Sequence, residues 1–172
     1  MNSIVSATVS TLKESKNILN RLTNEQLTNS NIPPYHSCIG SHIRHILDFY
    51  NCIFRGLDQN LVDLTKRDRS SLIEEQCALA LEEVDSVIEQ LKKLNHEDSH
   101  GMISVRDDLG QGLIEIKYTL GALLAQANSH TIHHYAIINY MLDRIGISLT
   151  DKTFGYNPST PFPAKIDLGT SD

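Results

Sequence analysis

The sequence predicts an all-α protein: a bundle of four amphipathic helices with a small β-hairpin between helices three and four. Three observations carry this. Apolar residues return at steps of three and four along four long stretches. Between the third and fourth stretch the period shortens to two on either side of a Gly-containing turn. At 172 residues with 40% apolar content, the chain is long enough to bury one real core, so residues 1–172 are expected to form a single domain.

In residues 4–22, Val5, Val9, Leu12, Ile18, Leu19 and Leu22 share a face opposite Lys13, Glu14 and Lys16, which predicts helix one. Residues 24–37 are rich in Asn, Ser and Thr and contain Pro33-Pro34, so an extended connection is expected there. Helix two starts near Ser37 and ends about Gly56. Its seam is Ile39, Ile43, Ile46, Tyr50, Ile53 and Leu57, the spacing of a helix packed lengthwise in a bundle. The polar stretch 58–70 offers only Leu61, Val62 and Leu64 as anchors. Ser71 and Glu74 then match a capping box, which predicts the start of helix three, carried on by Ile73, Cys77, Ala80, Val84, Val87, Leu91 and Leu94. After the polar residues 95–101, Ile103 and Val105 alternate with polar neighbours, as do Ile114, Ile116 and Tyr118 beyond the turn at 108–112. Thr119 is placed to cap helix four, and Gly146 to end it. The tail from Ile147 has no sustained period and is expected to wrap the bundle as loop.

Composition excludes several functions. A net charge of -6 and a pI near 5.7 leave no basic stripe for nucleic acid. The N-terminus has no basic region followed by an apolar one, and no apolar run is long enough to span a membrane, so a cytoplasmic protein is expected. Cys38, Cys52 and Cys77 form no Cys-x-x-Cys pair and are read as buried thiols.

The chemistry lies in the histidines. Taking about 100° per residue, His130 and His134 sit four apart on the apolar face of helix four, where leucine would be expected. Their Cβ atoms would be roughly 5–6 Å apart, close enough for two ring nitrogens to converge on one ion. A third ligand must come from another element, and helix two carries His42 and His45. His36, His96 and His100 fall in polar loops and are read as solvated. Residues 130–134 lack the Glu of a zincin protease, and Glu97-x-x-His100 lies in a loop, unlike the core motif of a di-iron bundle. Nucleotide-binding glycine loops and a Gly-x-Ser-x-Gly elbow do not occur.

An up-and-down bundle of four helices with His-Ile-Leu-Asp at 45–48 and His-Thr-Ile-His-His at 130–134 resembles the DinB/YfiT-like superfamily over almost the whole chain. The resemblance implies a divalent ion, zinc or nickel, held by one His of helix two and the His-x-x-x-His pair of the last helix. Carried over, that means His45, His130 and His134. By angular count His42 lies nearer the centre of the helix-two apolar face and is the alternative to His45, whereas His133 falls off the core face. Three protein ligands leave a coordination position open, as catalytic sites do. Implied activities are transfer of a low-molecular-weight thiol to a small-molecule substrate, or metal-dependent hydrolysis. Asp48 and Tyr135 are the candidates for orienting the nucleophile, Asp48 being otherwise a solvated helix charge. The alternative is a non-catalytic metal-binding or stress-associated interaction protein. Related bundles often pair through exposed helix faces, which makes a homodimer a further expectation.

Overall fold

Along Ser3–Leu19 the apolar stripe turns inward as helix α1, burying Val5, Val9, Leu12 and Ile18. The structure, a computed structural model, describes residues 3–94 and 97–161. Among those residues α2 is Asn24–Thr28, α3 is Ile39–Leu57, α4 is Ser71–Glu75, α5 is Cys77–Lys93 and α6 is Leu120–Arg144. Strands β1 (Leu61–Asp63), β2 (Met102–Asp108) and β3 (Leu113–Thr119) form one sheet in that order. The fold is therefore mostly helical with a small three-stranded sheet. No helix among the described residues is long and apolar enough to cross a membrane.

The four long helices α1, α3, α5 and α6 bury one shared core that includes Leu12, Ile43, Ile53, Val84, Leu123 and Ile138. Their arrangement corrects one expectation. In an up-and-down bundle, consecutive helices joined by short loops are neighbours. Here α1 and α3 each pack against both α5 and α6, so the ring runs α1, α5, α3, α6: α1 lies diagonal to α3 and α5 to α6, while α3 and α5 stay neighbours. The connections are long enough to cross: residues 20–38 carry α2, and the β2–β3 pair fills the path from α5 to α6.

Two caps match their sequence signals. The Thr119 hydroxyl accepts from the Ala122 amide at 3.1 Å and starts α6. At its other end Gly146 has φ +76°, and the amides of Gly146 and Ile147 donate to the carbonyls of Asp143 and Leu142 at 3.0 and 2.9 Å, which closes the helix with a glycine in the left-handed region.

Three local expectations are overturned. The stretch 24–37 is not wholly extended, because Thr23 and Gln26 form a reciprocal capping box that opens α2 and buries Leu27. The expected cap at Ser71 does not form. Ser70 is the N-cap residue and makes no side-chain cap bond, while Glu74 accepts from Arg44 Nε at 2.5 Å instead of reaching back. Helix three is broken at Gln76, which adopts φ -128°, and Asn24 Oδ1 receives the Cys77 amide at 2.9 Å to begin α5. The segment holding Glu74 lies hard against α3: a Cβ on Gly40 would sit 2.0 Å from the Glu74 carbonyl oxygen.

Alternation does produce an antiparallel β2–β3 pair, with Val105 opposite Ile116 and Ile103 opposite Tyr118. The polar stretch 58–70 contributes the unexpected β1, parallel to β2 with Val62 opposite Val105. Through β1 the sheet lies on α3. Cys52 and Cys77 are buried as expected, but Cys38 is only half-buried, because it ends the connection and its sulfur caps α3 by accepting from the Ser41 amide. His36 and His100 are exposed, whereas His96 and the tail beyond residue 161 lie outside the described residues. Within them Phe154 is buried and stacks on Tyr135 with ring centroids 4.8 Å apart, so the start of the tail does dock on α6.

Candidate metal centre

Two neighbouring helices build the site. The side chains at 42 and 45 lie one turn apart on α3, and those at 130 and 134 one turn apart on α6. A buried bond from Tyr50 on α3 to Thr131 on α6, hydroxyl to hydroxyl at 3.1 Å, ties the helices together beside them, and Thr131 also donates to the Ala127 carbonyl at 2.8 Å.

The structure brings His45, His130 and His134 together. His130 Nε2 is 2.9 Å from His45 Nε2 and 3.2 Å from His134 Nε2, and one nitrogen from each of the three falls within 4.8 Å of the others. Zinc–imidazole bonds of about 2.0–2.1 Å in a tetrahedron place ligand atoms about 3.3 Å apart, close to the two contacts at His130 Nε2, so this donor set fits a divalent ion. His134 is 9% exposed, and His45 and His130 are half-buried. Phe49 covers one side of His130 at 5.3 Å between centroids.

Electrostatics keep these rings neutral, the state in which imidazole ligates. Burial is the main reason that His134 is pushed down to about 3, and the imidazoles of His130, His45, His42 and His133 add to it. Burial likewise takes His45 down to about 4, with the Arg67 guanidinium next. His130 is lowered by burial and His133, and Asp107 on β2 pulls weakly the other way. Burial also lowers His42.

His42 and His45 take up different places against α6. Both face α6, but on different atoms: His42 Nδ1 is 2.9 Å from His134 Nδ1, the ring nitrogen remote from the three converging Nε2 atoms. The second nitrogen of His42 faces Ser37 Oγ at 2.9 Å. His133 is exposed, its ring 5.4 Å from that of His134.

Neither expected nucleophile-orienting residue reaches the cluster with a hydrogen bond. Asp48 is not a solvated charge: it is 3% exposed and its Oδ2 receives Arg44 Nη1 at 2.8 Å. Tyr135 follows His134 in sequence but turns about 100° away from it. Its hydroxyl meets Ser15 Oγ at 2.5 Å and donates to the Thr11 carbonyl at 3.0 Å, both on α1, and burial raises its pKa. We therefore expect Tyr135→Phe to lower stability by roughly 1–3 kcal/mol in thermal denaturation and leave metal content unchanged. Loss of metal would contradict this structural role.

Ser37, Arg67 and Asp107 escaped the sequence reading. Arg67 Nη1 lies 3.2 Å from His45 Nδ1, with its Nε held by the Leu64 carbonyl at 3.1 Å. The residue belongs to the polar strap after β1, and no periodicity indicates which side of α3 that strap crosses.

Comparison with known proteins agrees with this architecture. The DinB family model matches residues 2–155. The chain belongs to the DinB family. A crystal structure of a DinB-like protein of Bacillus subtilis, YjoA, is similar in fold, with a TM-score of 0.63 and 20% sequence identity over 86% of this chain and 94% of that one. No curated protein matches the chain. Among the described residues, His45 of α3 with His130 and His134 of α6 form a group that could hold a divalent ion.

Proposed function

We propose that this DinB-family chain binds a divalent ion, zinc or nickel, through His45, His130 and His134, and works as a metal-dependent enzyme on a small-molecule substrate. The supporting observation is the convergence of three neutral imidazoles, with Nε2 contacts of 2.9 and 3.2 Å, from two helices fixed in one core. Imidazole donors suit zinc and nickel, and three protein ligands are the number used where a fourth position takes water or substrate.

Bound there, a divalent ion supplies Lewis acidity, stabilising a thiolate outright or bringing the pKa of water to about 7. The surrounding residues favour the thiol chemistry. A low-molecular-weight thiol that gives up its proton on binding needs no general base when its sulfur attacks. Hydrolysis uses a positioned base to steer water, and the two side chains considered for that work are engaged elsewhere, Asp48 by Arg44 and Tyr135 by Ser15 and Thr11. Arg67 adds a cation beside the cluster that would favour an anionic sulfur or substrate. The same engagement of Asp48 and Tyr135 elsewhere supports a second reading, a non-catalytic metal-binding protein, which keeps the triad and has no turnover.

Metal analysis of untagged protein tests the site. Wild type is expected to carry close to one equivalent, and His130→Ala and His134→Ala to lose it. Equal content in all three proteins would make these ordinary core histidines. Incubation with panels of thiols and electrophiles, and separately with activated esters and amides, tests the activity. Thiol-dependent turnover lost in His130→Ala is the expected result. If no substrate reacts and no thiol changes the visible spectrum of the cobalt-substituted protein, the non-catalytic reading replaces it.

A further inference from the structure

We propose that Ser37 and His42 form a positioning relay that fixes which nitrogen of His134 faces the ion, an inference that rests on the metal reading above. The contacts on the page are His134 Nδ1 to His42 Nδ1 at 2.9 Å and His42 Nε2 to Ser37 Oγ at 2.9 Å. A neutral imidazole has one N–H and one bare nitrogen, so each such contact has a direction. When His134 offers Nε2 to the ion, its hydrogen resides on Nδ1 and is donated to His42. His42 Nδ1 must then be bare. The His42 hydrogen therefore sits on Nε2 and is donated to the Ser37 oxygen, a hydroxyl that accepts at no conflict with its own O–H. Ligation at one end thus dictates the tautomers of two rings, and the Ser37 hydroxyl ends the chain with an atom that can accept in that direction.

The other helix-α3 ring is supported differently, which makes the relay specific to His134. His45 Nδ1 faces Arg67, a guanidinium that can only donate. That contact favours hydrogen on His45 Nε2, the atom wanted for the ion, so it must loosen when His45 ligates. His42 has the opposite effect on His134. An accepting partner behind a ligating imidazole fixes the ring plane and increases its basicity, and its loss typically weakens metal affinity about 10–100-fold. Since His42 meets His134 on the nitrogen remote from the cluster, it is a positioning residue and not a fourth ligand of the same ion.

Two measurements on the full chain test the relay. In zinc-loaded wild type with labelled ring nitrogens, long-range proton–nitrogen NMR correlations should show the His134 hydrogen on Nδ1 and the His42 hydrogen on Nε2. Zinc affinity, measured by competition with a chromophoric chelator, should fall about 10–100-fold in His42→Leu. It should recover in large part in His42→Asn, whose amide oxygen stands near the place of Nδ1. A hydrogen on His42 Nδ1 in the zinc-loaded protein, or wild-type affinity in a folded His42→Leu, would overturn the relay while the metal reading survived. Wild type that takes up neither zinc nor nickel would remove both together. If His42→Leu does not fold, the tautomers of the wild type decide the matter alone.

Discussion

Arg44→Met will lower the stability of the folded chain by roughly 3–5 kcal/mol in urea denaturation, because it leaves a buried carboxylate without its cation. Asp48 is 3% exposed, and Arg44 joins it to Glu74, with Nη1 at 2.8 Å from Asp48 Oδ2 and Nε at 2.5 Å from Glu74 Oε1. The three residues clamp α4 onto α3 where Gly40 allows the backbones to touch. A double variant, Arg44→Met with Asp48→Leu, should regain most of the loss, since an apolar pair replaces two ions that had been withdrawn from water. Destabilisation below ~1 kcal/mol in the single variant would mean that solvent screens the pair as it screens a surface one. The same proteins separate structure from catalysis at Asp48. Zinc bound per folded molecule should match wild type in Arg44→Met and in the double variant, because neither residue supplies a ligand atom to the triad.

The legible part of this chain is periodic. Steps of three and four located α1, α3, α5 and α6, because a buried helical face repeats along its own sequence whatever it packs against. The ring order was not legible for the same reason: a stripe says that a face is buried and is silent about the partner. Thr119 and Gly146 marked the ends of α6 through local backbone chemistry, and Thr23 with Gln26 carried an equally local signal for α2 that the surrounding Asn, Ser and Pro residues obscured. The α6 half of the site followed from the spacing of His130 and His134. On α3, position alone could not separate His42 from His45, since both point at α6 and differ only in which nitrogen of which partner they meet. Arg67 depends on the path of a strap fixed by β1 pairing with β2 some forty positions away, a non-local event with no trace in the strap itself.

Acid will destabilise the metal-free protein from about pH 6.5 downward, well above the range in which its carboxylates titrate. His134 is held down to about 3 and His45 to about 4, both principally by burial, whereas in the unfolded chain each takes a proton near 6.5. Between those values the unfolded state binds more protons than the folded one, so stability rises with pH. The contribution is complete above the unfolded value and is lost as pH falls towards the folded ones, at about 1.4 kcal/mol per pH unit for each ring neutral only in the folded state. Urea midpoints taken in chelator between about pH 7 and pH 4 should therefore fall more steeply in wild type than in His134→Leu, which removes the most strongly depressed ring. Zinc should add to the effect, since it binds the same nitrogens only when they are unprotonated, and its stabilisation should vanish over the same acid range. Parallel curves for wild type and His134→Leu would show that the folded cluster takes protons as readily as the unfolded chain. In that case it would not be held neutral for an ion.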